Sequence, residues 1–143
     1  MGRKIGLAAG VLAAAFVAIQ LIPVWLFETN PPVTAEPAWD SATTQALAER
    51  ACYDCHSNQT VWPWYSRVAP VSWLVTLDVL RARNHLNFSE WSAAGSERSL
   101  REVARQIERG EMPPANYVLL HPSAALTAAE QQALITGLQN SLK

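Results

Sequence analysis

Cys52-Tyr53-Asp54-Cys55-His56 constrains this chain more than any other stretch, and its two cysteines are the whole cysteine content of the sequence. Two thiols three residues apart fall on one helical turn. Each can form a thioether to a vinyl group of haem, with His56 next in line as the proximal iron ligand. The same C-x-x-C could serve as a redox dithiol or as half of a zinc site. A redox dithiol wants a βαβ context, and the sequence offers none. A structural zinc site wants four ligands, whereas the remaining histidines, His85 and His121, are single and unclustered. A disulfide between Cys52 and Cys55 would close a tiny loop and gain little. One covalently held haem c is the cofactor the spacing predicts.

The 143 residues leave room for one ordinary domain plus an appendage, and the formal net charge of −1 gives no reason to expect nucleic acid as a partner. Without a disulfide scaffold, a small domain needs another source of buried area. Six tryptophans suit a flat apolar cofactor.

Arg3 and Lys4 precede an apolar run from Ile5 to Phe27, interrupted by Gly6, Gly10, Gln20 and Pro23. At about 1.5 Å per residue the run covers roughly 34 Å, enough to cross a bilayer core. The basic start, with no Lys or Arg just after Phe27, orients the N-terminus toward the cytoplasm. The rest of the chain is then expected on the far side of a bacterial inner (cytoplasmic) membrane, in the periplasm, where haem is attached covalently. A cleaved signal is the rival reading, with Val33-Thr34-Ala35 as a weak cleavage site. Its apolar region would be shorter, about 7–15 residues. Three segments follow: a membrane anchor over 1–27, a Pro-rich spacer over 28–40 and a haem domain over 41–143.

The haem domain reads as all-α, because no stretch alternates apolar and polar residues over a useful length. Asp40 or Ser41 can cap a helix running to the cysteines. Asn58 to Ser66 is an aromatic loop, and Pro70 opens a helix with an apolar surface at Val71, Leu74 and Val75. Asn84 to Gly95 reads as loop. Ser96 caps an amphipathic helix with a stripe of Leu100, Val103, Ala104 and Ile107, ended by Gly110. Pro113 and Pro114 predict a non-helical stretch through Tyr117. Thr127-Ala128-Ala129-Glu130 is a capping box opening a last helix with Leu134, Leu138 and Leu142 on one face. The expected architecture is a cytochrome c-like domain of about four helices wrapped around one haem, behind an N-terminal transmembrane helix.

Apart from Met1 the chain has one methionine, Met112, within Gly110-Glu111-Met112-Pro113-Pro114. Two prolines stiffen that loop, so His56 and Met112 are the expected axial pair. His85, in a polar loop, and His121, before Pro122, are the rivals; a bis-histidine pair would lower the potential.

These motifs resemble a family of small bacterial haem-binding proteins of the cytochrome c type. The resemblance is carried by Asn30-Pro31-Pro32-Val33, Cys52-x-x-Cys55-His56-Ser57-Asn58, Trp62-Pro63-Trp64-Tyr65-Ser66, Val68-Ala69-Pro70-Val71-Ser72-Trp73, Asn87-Phe88-Ser89-Glu90-Trp91 and Gly110-Glu111-Met112-Pro113-Pro114. It covers most of the part after the apolar run, although Arg81-Ala82-Arg83-Asn84 has no match. It implies one c-type haem on Cys52 and Cys55, with His56 proximal and Met112 distal, in an anchored or secreted periplasmic protein. Trp62, Trp64, Tyr65 and Trp73 are candidates for the pocket wall, and Arg67 for a haem propionate. The expected function is a membrane-anchored monohaem electron carrier with protein redox partners. The alternative is a haem-based sensor with an open or displaceable distal site. A small haem peroxidase is the third reading, but it would want a distal acid–base residue, and Glu111 beside Met112 is poorly placed for that.

Overall fold

Helix caps and apolar stripes set the helix boundaries. The computed structural model describes residues 2–141 and, for residues 93–99, the backbone alone. Seven α-helices lie within the described residues: α1 (Gly2–Gln20), α2 (Ala42–Ala51), α3 (Tyr53–His56), α4 (Val71–His85), α5 (Ala93–Glu108), α6 (Ala115–Leu120) and α7 (Ala128–Asn140). Short 3-10 turns cover Val24–Phe27, Trp64–Arg67 and Pro122–Ala124. No strand forms among the described residues; one isolated bridge joins Ala35 and Glu90. The all-α expectation holds. Four of the helices after the apolar segment are long, and α3 and α6 are one or two turns.

The chain divides into two compact units. The first comprises residues 1–29 and 62–78. Its N-terminal segment, Gly2–Phe27, is long and apolar enough to cross a membrane, and α1 has no buried residue. The α-helix stops at Gln20 rather than running to Phe27, since Pro23 cannot donate to a helical ladder. Gln20 then turns its side chain onto Ala69. Its Oε1 accepts from the Ala69 N–H at 2.9 Å and its Nε2 donates to the Ala69 carbonyl at 3.2 Å.

The second unit comprises residues 30–61 and 79–143. Ser41 caps α2 by accepting from the Thr44 N–H, and α7 opens on the complete Thr127–Glu130 capping box. α7 packs against α2 and α5. Leu47, Ala48, Leu100, Ile107, Leu134, Ile135 and Leu138 form the core, joined by Tyr53, Leu86 and Phe88. Each large apolar side chain so buried stabilises the unit by about 1.5–3 kcal/mol. Leu142 of the expected α7 face lies outside the described residues.

Three boundaries differ from the sequence reading. α4 extends through Asn84 and His85, so the expected loop starts later. α5 begins at Ala93 with Ser92 in the cap position, three residues before Ser96. Tyr117 is helical, because Pro114 serves as the cap of α6; proline is tolerated where the N–H would be unpaired anyway. The residues after Asn30 do not hang as a spacer. Thr34 and Ala35 donate to the Ser89 carbonyl at 2.9 and 3.2 Å, and the Asp40 N–H donates to Ser141 Oγ at 3.1 Å.

Candidate functional site

α2 delivers the first cysteine. Cys52 closes that helix with its N–H on the Ala48 carbonyl at 2.8 Å, and its φ of −127° breaks the helical run. α3 restarts at once: Cys55 and His56 donate to the Cys52 carbonyl at 3.1 and 2.8 Å. The three chemically active side chains therefore stand on one turn, and no disulfide joins the two cysteines. Burial, then the neighbouring Cys55, pushes the Cys52 thiol up to about 12. A redox dithiol needs the opposite, a pocket that stabilises thiolate. Nor do three or more His, Cys, Asp or Glu side chains gather as a metal site among the described residues.

His56 is held by its inner ring nitrogen. Nδ1 lies 3.0 Å from the Leu86 carbonyl oxygen, which can only accept, so Nδ1 carries the proton. Nε2 is left with its lone pair, the tautomer a metal-ligating imidazole requires. Burial holds the ring below its ordinary pKa, against the Leu86 and Ala82 carbonyls, which favour protonation. The backbone is tied as well, since the Phe88 N–H donates to the His56 carbonyl at 2.8 Å.

Behind this turn lies a polar network that sequence reasoning missed. Asn58 receives Asn87 Nδ2 on its Oδ1 at 2.9 Å and donates through Nδ2 to the Pro32 carbonyl and Glu90 Oε1 at 3.2 and 3.0 Å. Its N–H donates to Ser89 Oγ at 2.9 Å. Arg83, on α4, donates to the Ser57 carbonyl, Thr60 Oγ1 and Asn30 Oδ1 at 2.8, 2.8 and 3.0 Å. Asp54, between the cysteines, accepts from the Tyr117 hydroxyl at 2.6 Å and from the Val61 N–H at 3.0 Å. Three motifs quoted above as separate, around residues 30, 58 and 88, are thus one hydrogen-bonded structure. Phe88 is its apolar centre, with ring centroids of Trp39, Tyr53 and Trp91 at 5.5, 5.5 and 5.9 Å. The signal available in the sequence was the density of Asn, Ser and Arg in stretches otherwise rich in aromatics.

Met112 follows the end of α5. Gly110 adopts φ +69°, its N–H donates to the Ile107 carbonyl, and the Glu111 N–H reaches back to the Gln106 carbonyl. This is a Schellman motif, with glycine in the left-handed position. The Met112 N–H also donates to Gln106, at 3.2 Å, so the backbone of the expected distal ligand is fixed to the helix end. Met112 itself is 37% exposed. Of its rivals, His85 closes α4 rather than lying in a loop, and His121 caps α6 with its ring stacked on Tyr117 at 4.4 Å.

Cys52, Cys55, His56 and Met112 all belong to the second unit, whereas Trp62, Trp64, Tyr65, Arg67 and Trp73 belong to the first. Trp64 is 80% exposed and meets Tyr65 edge-on, with centroids 5.8 Å apart. Trp62 and Trp73 are half-buried with indole N–H groups that meet no acceptor. Arg67 lies 3.3 Å from the buried Glu28 carboxylate.

An imidazole pre-set by a backbone carbonyl, on the same turn as two cysteines, makes this a small helical haem-binding protein. The chain belongs to the haem-binding domain family, whose family model matches residues 14–140. No curated protein and no solved structure matches it.

Proposed function

We propose that this chain is a membrane-anchored monohaem c-type cytochrome that carries single electrons in the periplasm. The observation that carries the reading is the Nδ1 to Leu86 contact of His56 on the turn of Cys52 and Cys55. When bound, haem supplies a one-electron ferrous–ferric couple. Cys52 and Cys55 would hold it as thioethers, with His56 Nε2 and the Met112 thioether as its iron ligands. The chain's own work is to keep that imidazole neutral and aimed, to exclude water with the Phe88 cluster, and to fix the Met112 backbone on α5. The apolar N-terminal segment supports an anchor in the cytoplasmic membrane, which raises the local concentration of the domain near membrane-bound redox partners. The exposure of Met112 favours a second reading, a haem-based sensor in which a small ligand displaces the thioether.

Visible and near-infrared spectra of the purified ferric protein separate the two. Thioether ligation gives a weak near-infrared charge-transfer band. Met112→Ala should abolish it while covalent haem, seen by haem staining after denaturing electrophoresis, persists. A five-coordinate high-spin spectrum in the wild type would overturn the electron-carrier reading.

A further inference from the structure

The first unit contains a helix segment that faces the wrong way for a protein in water. Within residues 71–78 of α4, Ser72 and Thr76 are buried at 6% and 2% exposure. Val71, Leu74 and Leu77 stand out at 42%, 61% and 45%. A soluble helix does the reverse, turning its apolar stripe to the core. The preceding stretch continues the pattern, with Trp64 and Val68 exposed as well. Residues 62–78 carry four aromatic side chains, three of them tryptophan, and only Arg67 and Asp78 as charges. Isolated exposed apolar residues need no explanation, but a contiguous set with polar groups buried behind it marks a surface covered by something other than water.

What covers it follows from where the segment is tied. Gln20, the last residue of α1, grips both backbone groups of Ala69, and Arg67 pairs with Glu28 just beyond the apolar run. Residues 62–78 are thereby fastened to the end of the span at two points. Trp25, Leu26 and Phe27 at that same end are themselves exposed. Tryptophan and tyrosine concentrate at bilayer interfaces, where an apolar ring and a polar N–H or O–H each find their solvent.

We propose that residues 62–78 lie in the interfacial layer of the bilayer that α1 enters, with Trp64, Val71, Leu74 and Leu77 among the acyl chains. Residues 62–78 are then an interfacial foot beside the anchor, held by a hydrophobic face rather than by basic residues. The inference rests on the anchored reading above and goes beyond it, since a span alone would leave residues 62–78 in water.

The test uses the full haem-loaded chain in phospholipid nanodiscs containing a lipid with a photoreactive diazirine at glycerol depth. Adducts are mapped by peptide mass spectrometry. Adducts on residues 64–77 as well as on α1, well above those on a water-soluble protein added as control, are expected. Leu74→Asp should lower the yield on 64–77 several-fold while leaving α1 labelled; the site is exposed, so the fold tolerates the change. Adducts on α1 alone overturn the foot and leave the anchor standing. Absence of adducts on both overturns the anchor and the foot together. Labelling of 64–77 no stronger than that of the control protein, or an L74D yield equal to wild type, also overturns the foot.

Discussion

Arg83 shows how much of the site rests on single side chains remote from it in sequence. Its guanidinium serves the Ser57 carbonyl, Thr60 and Asn30 at once, clasping the residues that follow His56. Arg83→Ala leaves three acceptors to find other donors, and hydrogen bonds to a charged group are worth about 1.5–3 kcal/mol each before solvent compensates. Chemical denaturation of the variant should show a loss of about 2–3 kcal/mol. The partners sit 23, 26 and 53 residues away, so nothing in the local pattern announced them. The cysteines and His56 were legible because their chemistry depends on spacing within one turn. The Asn58 network was not, since its partners lie 26 to 32 residues off in sequence.

Helices whose ends are set by local chemistry were read well, and those set by what packs on them were read poorly. The box at Thr127 and the stripe from Leu100 to Ile107 depend on residues three or four apart. α4 has no such signature, because its first half buries serine and threonine and exposes valine and leucine. Two element-scale outcomes follow from contacts of α7. A Cβ at Gly137 would run into the Thr44 side chain, which is branched and hydrogen-bonded to Ser41. Gly137→Ala should therefore destabilise the fold by about 1–3 kcal/mol despite its better helix propensity, as read by thermal or urea unfolding. Glu130, bonded by the Thr127 backbone and by Arg50, titrates at about 2 in the folded chain against an ordinary 4.5. A depressed folded pKa means stability that is present above about pH 4.5 and lost as pH falls through 4.5 toward 2. Glu130→Gln should flatten that acid limb in urea titrations at graded pH, by a modest amount given the exposure of the pair.

At the scale of the whole molecule, a long apolar N-terminal segment and a haem-binding domain were both visible in composition and spacing. The division into two units was not, because the first unit joins residues 1–29 to 62–78 across a gap in sequence. The apolar segment predicts that the full chain stays with membranes after alkaline carbonate washing. A mature N-terminus mapped near Ala35 would instead show a cleaved signal. A substitution map of the entire chain would carry one misleading peak. Gly110 is the described residue with left-handed backbone, and a side chain there would meet nothing within 4 Å. Replacing it costs about 1–2 kcal/mol through φ alone and displaces the turn that leads into Met112. In a saturation survey scored by haem spectra, position 110 would therefore look like a binding residue, intolerant of everything except glycine and, weakly, asparagine. Its intolerance would come from the path of the chain and not from anything the residue touches.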